Sequence, residues 1–126
     1  MKVPNEEQVL LTHHYLIQES GGSDELRDPT MLDSALNGPF QTYGGKDLYP
    51  TKEEKGARLG FAFISNHPFV DGNKRIGMLV MMSFLYSNGL YIVASEEEVI
   101  NVGLSVASGG MDYYALLDWV RNHIAT

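Results

Sequence analysis

Cysteine is absent from this 126-residue chain, which excludes a disulfide framework, a thiolate zinc site and a cysteine nucleophile. Positive charge is scarce: 9 Lys and Arg stand against 16 Asp and Glu, a formal net charge of −7, so no basic surplus exists to displace counterions from a nucleic-acid backbone. Direct nucleic-acid binding is therefore not expected. Long apolar runs are missing as well. The longest mostly apolar stretch, residues 76–86, is too short to span a bilayer, and MKVPNEEQ carries no apolar segment behind its lysine. Neither a membrane anchor nor a secretory signal is expected, and a cytoplasmic location is the default reading. No repeat of fixed period and no low-complexity tract is found.

What is present is ordinary globular composition, 44% apolar and 20% charged, in a length that suits one domain over residues 1–126. Helix-start signals divide it. Asn5 with Gln8 opens a helix that Gly21-Gly22 stops, and Asp28 before Pro29 is an N-cap followed by proline at the first helical position. Residues 39–50 hold Gly44-Gly45 between two aromatic-bearing arms and read as a hairpin flap, the one plausible strand pair. Thr51 with Glu54 is a capping box for a helix that Pro68 ends by biasing His67 out of the helical region. A further helix runs from Asn73 to Ser87 and is apolar all round, which predicts a central element buried on every side. Ser95 with Glu98 starts another. The last places Tyr113, Leu116, Leu117, Val120 and Ile124 on one face. The expected fold is an all-α, compact bundle of about six helices with a short β-hairpin flap.

The polar segment His67-Pro-Phe-Val-Asp-Gly-Asn-Lys-Arg75 lies between two apolar helices, as a rigid active-site loop does. A histidine exchanges protons near neutral pH, an aspartate holds a hard cation such as Mg²⁺, and glycine admits a ligand close to the backbone. The free amides of the helix after Gly72, with Asn73, Lys74 and Arg75 beside them, form an anion site. Taken singly these residues are also an ordinary helix end, turn and solvated pair. Lys74 and Arg75, however, oppose the positive end of the helix dipole by up to ~1 kcal/mol each, so local sense is restored by an anion.

This segment resembles the active-site motif of the Fic/Doc superfamily, His-Pro-Phe-x-(Asp/Glu)-Gly-Asn-(Gly/Lys)-Arg, at every specified position. Upstream, His13, Gly21-Gly22, Leu26-Arg27-Asp28 and residues 32–36 are similar in order and spacing to the death-on-curing (Doc) branch. The resemblance implies His67 as the general base toward a target hydroxyl and Asp71 as the residue that holds Mg²⁺ on nucleotide phosphates. It further implies Gly72, Asn73, Lys74 and Arg75 around the phosphates, and Phe69 as the loop's anchor in the core. Adenylyl-transferring Fic proteins usually carry glycine where this chain has Lys74, and a further arginine where it has Met78. A lysine there obstructs the path that glycine leaves open, which orients the triphosphate with its γ-phosphorus toward the nucleophile.

The expectation is thus a Doc-like toxin that phosphorylates a Ser/Thr hydroxyl, with ATP as donor, Mg²⁺ as cofactor and translation elongation factor Tu as the implied acceptor. Adenylyl transfer by the same loop is the alternative, and a non-catalytic nucleotide- or phosphate-binding module is a second. No Glu is followed by Gly or Asn, so the self-inhibitory motif of many Fic proteins is missing and a small antitoxin partner is implied. Tyr43, Lys46 and Tyr49 of the flap are candidates for docking the target by strand addition. Other polar residues read as structural. His13 sits on an apolar face as a hydrogen-bonded core histidine, Glu96 to Glu98 form a favourable first turn, Met78, Met81 and Met82 fill the core, and His123 complements a helix dipole. Arg27 and Arg58 are possible outer supports of the phosphate site that sequence does not place.

Overall fold

Five of the six α-helices described here begin where a side chain takes up amides of the first turn. The structure, a computed structural model, describes residues 1–125. In α1 (Glu6–Ser20) the Asn5 side chain accepts from the Gln8 amide, and in α2 (Pro29–Asn37) Asp28 accepts from the amides of Thr30 and Met31. A 3-10 turn, Gly38–Phe40, which sequence did not suggest, leads to β1 (Thr42–Tyr43) and β2 (Lys46–Asp47). These strands pair antiparallel, Thr42 opposite Asp47 and Tyr43 opposite Lys46, across Gly44 and Gly45 at φ 59° and 78°. The Thr51–Glu54 capping box opens α3 (Lys52–Asn66), Ser95 caps α5 (Glu96–Ala107) and Asp112 caps α6 (Tyr113–Asn122). The exception is α4 (Asn73–Ser87), which starts at Gly72 without a side-chain cap.

α3 and α4 are the central pair. Antiparallel packing follows from three glycines whose missing Cβ atoms lie against the facing helix. A Cβ on Gly56 would stand 2.7 Å from Leu85 Cδ2, one on Gly60 2.9 Å from Met81 Sδ, and one on Gly77 2.8 Å from Ile64 Cγ1. Such close approach fixes the two ends of the loop that joins the helices. Leu59, Phe63, Ile64, Ile76, Met81 and Leu85 are fully buried between them and their neighbours.

The expectation that α4 is buried on every side is corrected. Leu79 and Tyr86 face solvent, 38% and 67% exposed, because the remaining helices do not suffice to enclose a central one. α5 and α6 are joined through the Glu98 carboxylate, which accepts from Trp119 Nε1 at 3.2 Å and lies 2.7 Å from His123 Nε2. The other nitrogen of His123 donates to the Trp119 carbonyl at 2.7 Å, so this histidine ties two helices together besides complementing a dipole. Two isolated antiparallel bridges, Leu26 with Phe69 and Ile92 with Ile124, were not foreseen. No helix among the described residues is long and apolar enough to cross a membrane.

Candidate active site

The loop between α3 and α4 starts at a strained residue. His67 ends α3 at φ 48°, ψ 59°, and is the only non-glycine residue with positive φ among those described. Pro68 does exclude the right-handed helical region for it, as expected, but the chain turns left-handed rather than extended. That conformation carries about 1–2 kcal/mol of steric strain in an L-residue. Arg27 holds it in place: its Nε donates to the His67 carbonyl at 2.6 Å and its Nη2 to the Asn66 carbonyl at 2.8 Å. The guanidinium thereby caps the negative end of α3 and opposes release of the turn. The imidazole itself is exposed and has no hydrogen-bond partner among the described residues.

Beyond His67 the loop behaves as one strand held along both edges. On one edge, the amides of Arg27 and Asp28 donate to the Pro68 carbonyl at 2.8 and 3.0 Å, and the Val70 amide donates to Glu25 at 3.0 Å. Phe69's own N–H and C=O point the opposite way. There the Asn73 side chain acts like the peptide group of a partner strand, its Oδ1 accepting from Phe69 N–H at 3.0 Å and its Nδ2 donating to Phe69 C=O at 2.9 Å. The Phe69 side chain is 1% exposed and stacks on the His13 ring, with centroids 3.6 Å apart and planes 11° from parallel.

Asp71 is fixed from two sides. Its carbonyl accepts from His13 Nε2 at 2.7 Å, and its Oδ2 accepts from the Ser23 amide at 2.8 Å. Gly72 then reverses the chain at φ 82°, where a Cβ would lie 3.0 Å from Ile17 Cδ1 and 3.3 Å from His13 Nε2; only glycine fits. The amides of Asn73, Lys74 and Arg75 follow with no protein acceptor among the described residues, the first helical bond being Ile76 N–H to Gly72 C=O at 3.0 Å. Three unbonded amides at the positive end of a 15-residue helix are suited to an anion.

The loop thus carries His67 at its start, exposed, and Asp71, Gly72 and the unbonded first turn of α4 at its end, but two expected phosphate-side groups are directed elsewhere. The Asn73 side chain is buried in the loop clasp, which leaves only its amide for a ligand. The Arg75 guanidinium reaches α1, donating to the Leu16 carbonyl at 3.3 Å and lying 3.9 Å from Glu19. Lys74 is exposed and has no ion-pair partner among the described residues. Asp71 Oδ1 has no protein donor there either, and no group of three metal-ligating side chains is found among them. A single free carboxylate oxygen fits a cation whose remaining ligands are phosphate and water, as Mg²⁺ on a nucleotide requires, and does not fit an all-protein cage.

The flap is tethered rather than free. The buried Lys55 ammonium bonds Asp47 Oδ2 at 3.1 Å and the Tyr49 carbonyl. Tyr49 packs edge-on against Tyr113 at 5.6 Å and under the Arg58 guanidinium at 5.7 Å, so it is part of the flap's base. Tyr43, 81% exposed, and Lys46 remain open to a partner. Arg58 is thereby engaged at the flap and Arg27 at the end of α3. Beside the site, Leu16, Lys74, Met78, Met82, Ile100 and Gly103 line a largely apolar groove of about 610 Å³ between α1, α4 and α5. Sequence reasoning missed it by reading the methionines as core; Met82 is only half-buried and faces the groove.

A model described as the Fic/DOC family matches residues 3–85, which take in α1 through most of α4 and the whole loop. Among curated proteins the chain is similar to "Toxin Doc" of Mycolicibacterium smegmatis, 39% identical over 77 residues. That match takes in 61% of this chain and 59% of the relative, so the chain spans less than two thirds of that protein's length.

Proposed function

Because this chain belongs to the Fic/DOC family, we propose that it is a Doc-like toxin that transfers the γ-phosphate of ATP to a Ser/Thr hydroxyl of a protein. The observation that carries this reading is the strained left-handed His67, held by Arg27 at the start of the loop that leads into the uncapped α4. Strain maintained at one non-glycine residue, in a loop that ends on unbonded helix amides, supports reading the loop as a site.

In this reaction the target hydroxyl gives its proton to His67 as its oxygen bonds the γ-phosphorus. The bond from that phosphorus to the β,γ-bridging oxygen breaks and ADP leaves. The amides of Asn73, Lys74 and Arg75 hold phosphate oxygens and meet the charge that develops on them, the preorganised contribution on which phosphoryl transfer depends most. Asp71 would hold Mg²⁺ together with the phosphates, and the ion would supply charge neutralisation there. Lys74 adds a mobile positive charge where a glycine would leave an open path, which favours γ- over α-phosphoryl transfer. The flap, with Tyr43 and Lys46 exposed, holds the target segment alongside. Translation elongation factor Tu is the acceptor implied by the family resemblance. The groove between α1, α4 and α5, bordered by Lys74, is the seat for a segment of the paired antitoxin.

The test is incubation of the protein with Mg²⁺ and ATP labelled at the α or the γ position, in a bacterial lysate, beside His67→Ala. Label from the γ position on a protein, lost with His67→Ala while nucleotide binding persists, is the expected result. Label from the α position makes the enzyme an adenylyltransferase, and nucleotide binding without any transfer leaves a binding module.

A further inference from the structure

His13 contacts the loop at two places, and neither the base, the phosphate site nor the flap uses it. It lies on α1, is 1% exposed, meets Asp71 and Phe69 at once, and occupies the space that a Cβ on Gly72 would need. Its partner in the 2.7 Å contact is a carbonyl oxygen, which only accepts, so Nε2 carries the ring's proton and the geometry selects that tautomer. An apolar side chain would fill the same space against Phe69, but it would leave the Asp71 carbonyl, turned toward α1 by the reversal at Gly72, without its donor.

We infer that His13 is a positioning residue: by holding the Asp71 carbonyl while the Ser23 amide holds Oδ2, it sets where Asp71 presents its free carboxylate oxygen to a Mg²⁺–nucleotide. The two hydrogen bonds grip the residue at its main chain and at one carboxylate oxygen, which leaves Oδ1 one direction to face. Loss of the main-chain grip frees the segment between Phe69 and α4 to shift, and a ligand oxygen displaced by a fraction of an ångström binds a metal less well. This role depends on the reading of Asp71 as the Mg²⁺ residue and reaches the nucleotide only through it.

Binding of a non-hydrolysable ATP analogue to the full chain, measured by calorimetry with Mg²⁺ and again with EDTA, separates the cases. His13→Phe keeps a ring against Phe69 and removes the donor; His13→Gln restores a donor. The expected result is that His13→Phe weakens Mg²⁺-dependent binding by about tenfold or more, leaves binding in EDTA within about twofold, and that His13→Gln recovers most of the loss. In an Asp71→Asn background His13→Phe adds no further loss, because its route runs through that carboxylate. Equal losses with and without Mg²⁺, or additivity with Asp71→Asn, overturn the inference and leave His13 a core residue. Wild-type binding that ignores Mg²⁺ overturns the metal reading of Asp71 and this inference with it. Should thermal melting show His13→Phe unfolded, His13→Leu against His13→Gln makes the same comparison.

Discussion

Replacing Asn73 tests whether the loop is held as a strand between two edges. In Asn73→Ala both bonds to Phe69 vanish, and an N–H and a C=O in a site where Asn73 is 6% exposed lose their partners. Each unsatisfied main-chain group is destabilising by about 1–3 kcal/mol, so the sum is roughly 2–6 kcal/mol. For a domain of this size that lowers the melting temperature by about 8 °C or more. Asn73→Asp is the finer probe: the retained oxygen still accepts from Phe69 N–H, while the second oxygen faces the Phe69 carbonyl and repels it, so one bond remains and one is replaced by repulsion. Thermal melting by circular dichroism gives the stability. Amide hydrogen exchange at Phe69 locates the change, since its protection should collapse in Asn73→Ala before that of the α3 and α4 interior. An Asn73→Ala protein that melts within about 2 °C of wild type, with Phe69 still protected, refutes the account of the loop as a two-edged strand.

His67→Asn keeps a residue that tolerates the left-handed turn, so stability should stay within about 0.5 kcal/mol while phosphoryl transfer falls by about 10²–10⁴, read from melting and label incorporation. Arg27→Met removes two guanidinium bonds to exposed carbonyls and should lower stability by about 1–2 kcal/mol, with a fall in kcat and little change in nucleotide affinity. Lys55→Met releases the flap at a loss of about 1–3 kcal/mol, because Asp47 can rehydrate. Cleavage at Gly44-Gly45 should quicken and KM for the protein acceptor rise, with nucleotide affinity unchanged. Tyr113 is pushed up from 10.0 to about 12 by its burial and by Glu54 nearby, so its neutral form favours the fold fully below pH 10 and that contribution is lost as pH rises through 12. A tyrosinate absorbance titration should show a step near pH 12 that Tyr113→Phe abolishes.

Helix placement was legible because it rests on local chemistry. Asn5, Asp28, Thr51 and Ser95 each bond an amide two or three residues on, an interaction that neighbouring residues alone complete; the Asp112 cap was not read from the sequence, which placed the last helix by its apolar face. Gly44-Gly45 likewise specified the flap. The candidate site was legible as a motif, His67 through Arg75, since its residue types are contiguous. Side-chain direction was not. Asn73 looked like a phosphate ligand and is the loop's clasp, Arg75 leans on α1, and Tyr49 is bound into the flap's base. The choice among such partners depends on which carbonyl or ring a distant segment delivers.

By itself the sequence determined the six helices, the flap and the chemical inventory of one loop, because caps, glycines and a contiguous motif act over a few residues. Only the tertiary structure decided that residues 23–28 brace that loop, that His13 reaches Asp71 across 58 positions, and that a groove opens beside Lys74. Those contacts arise when the close packing of α3 on α4 forces remote main-chain groups together. Their unmet hydrogen bonds then select partners that no local pattern encodes.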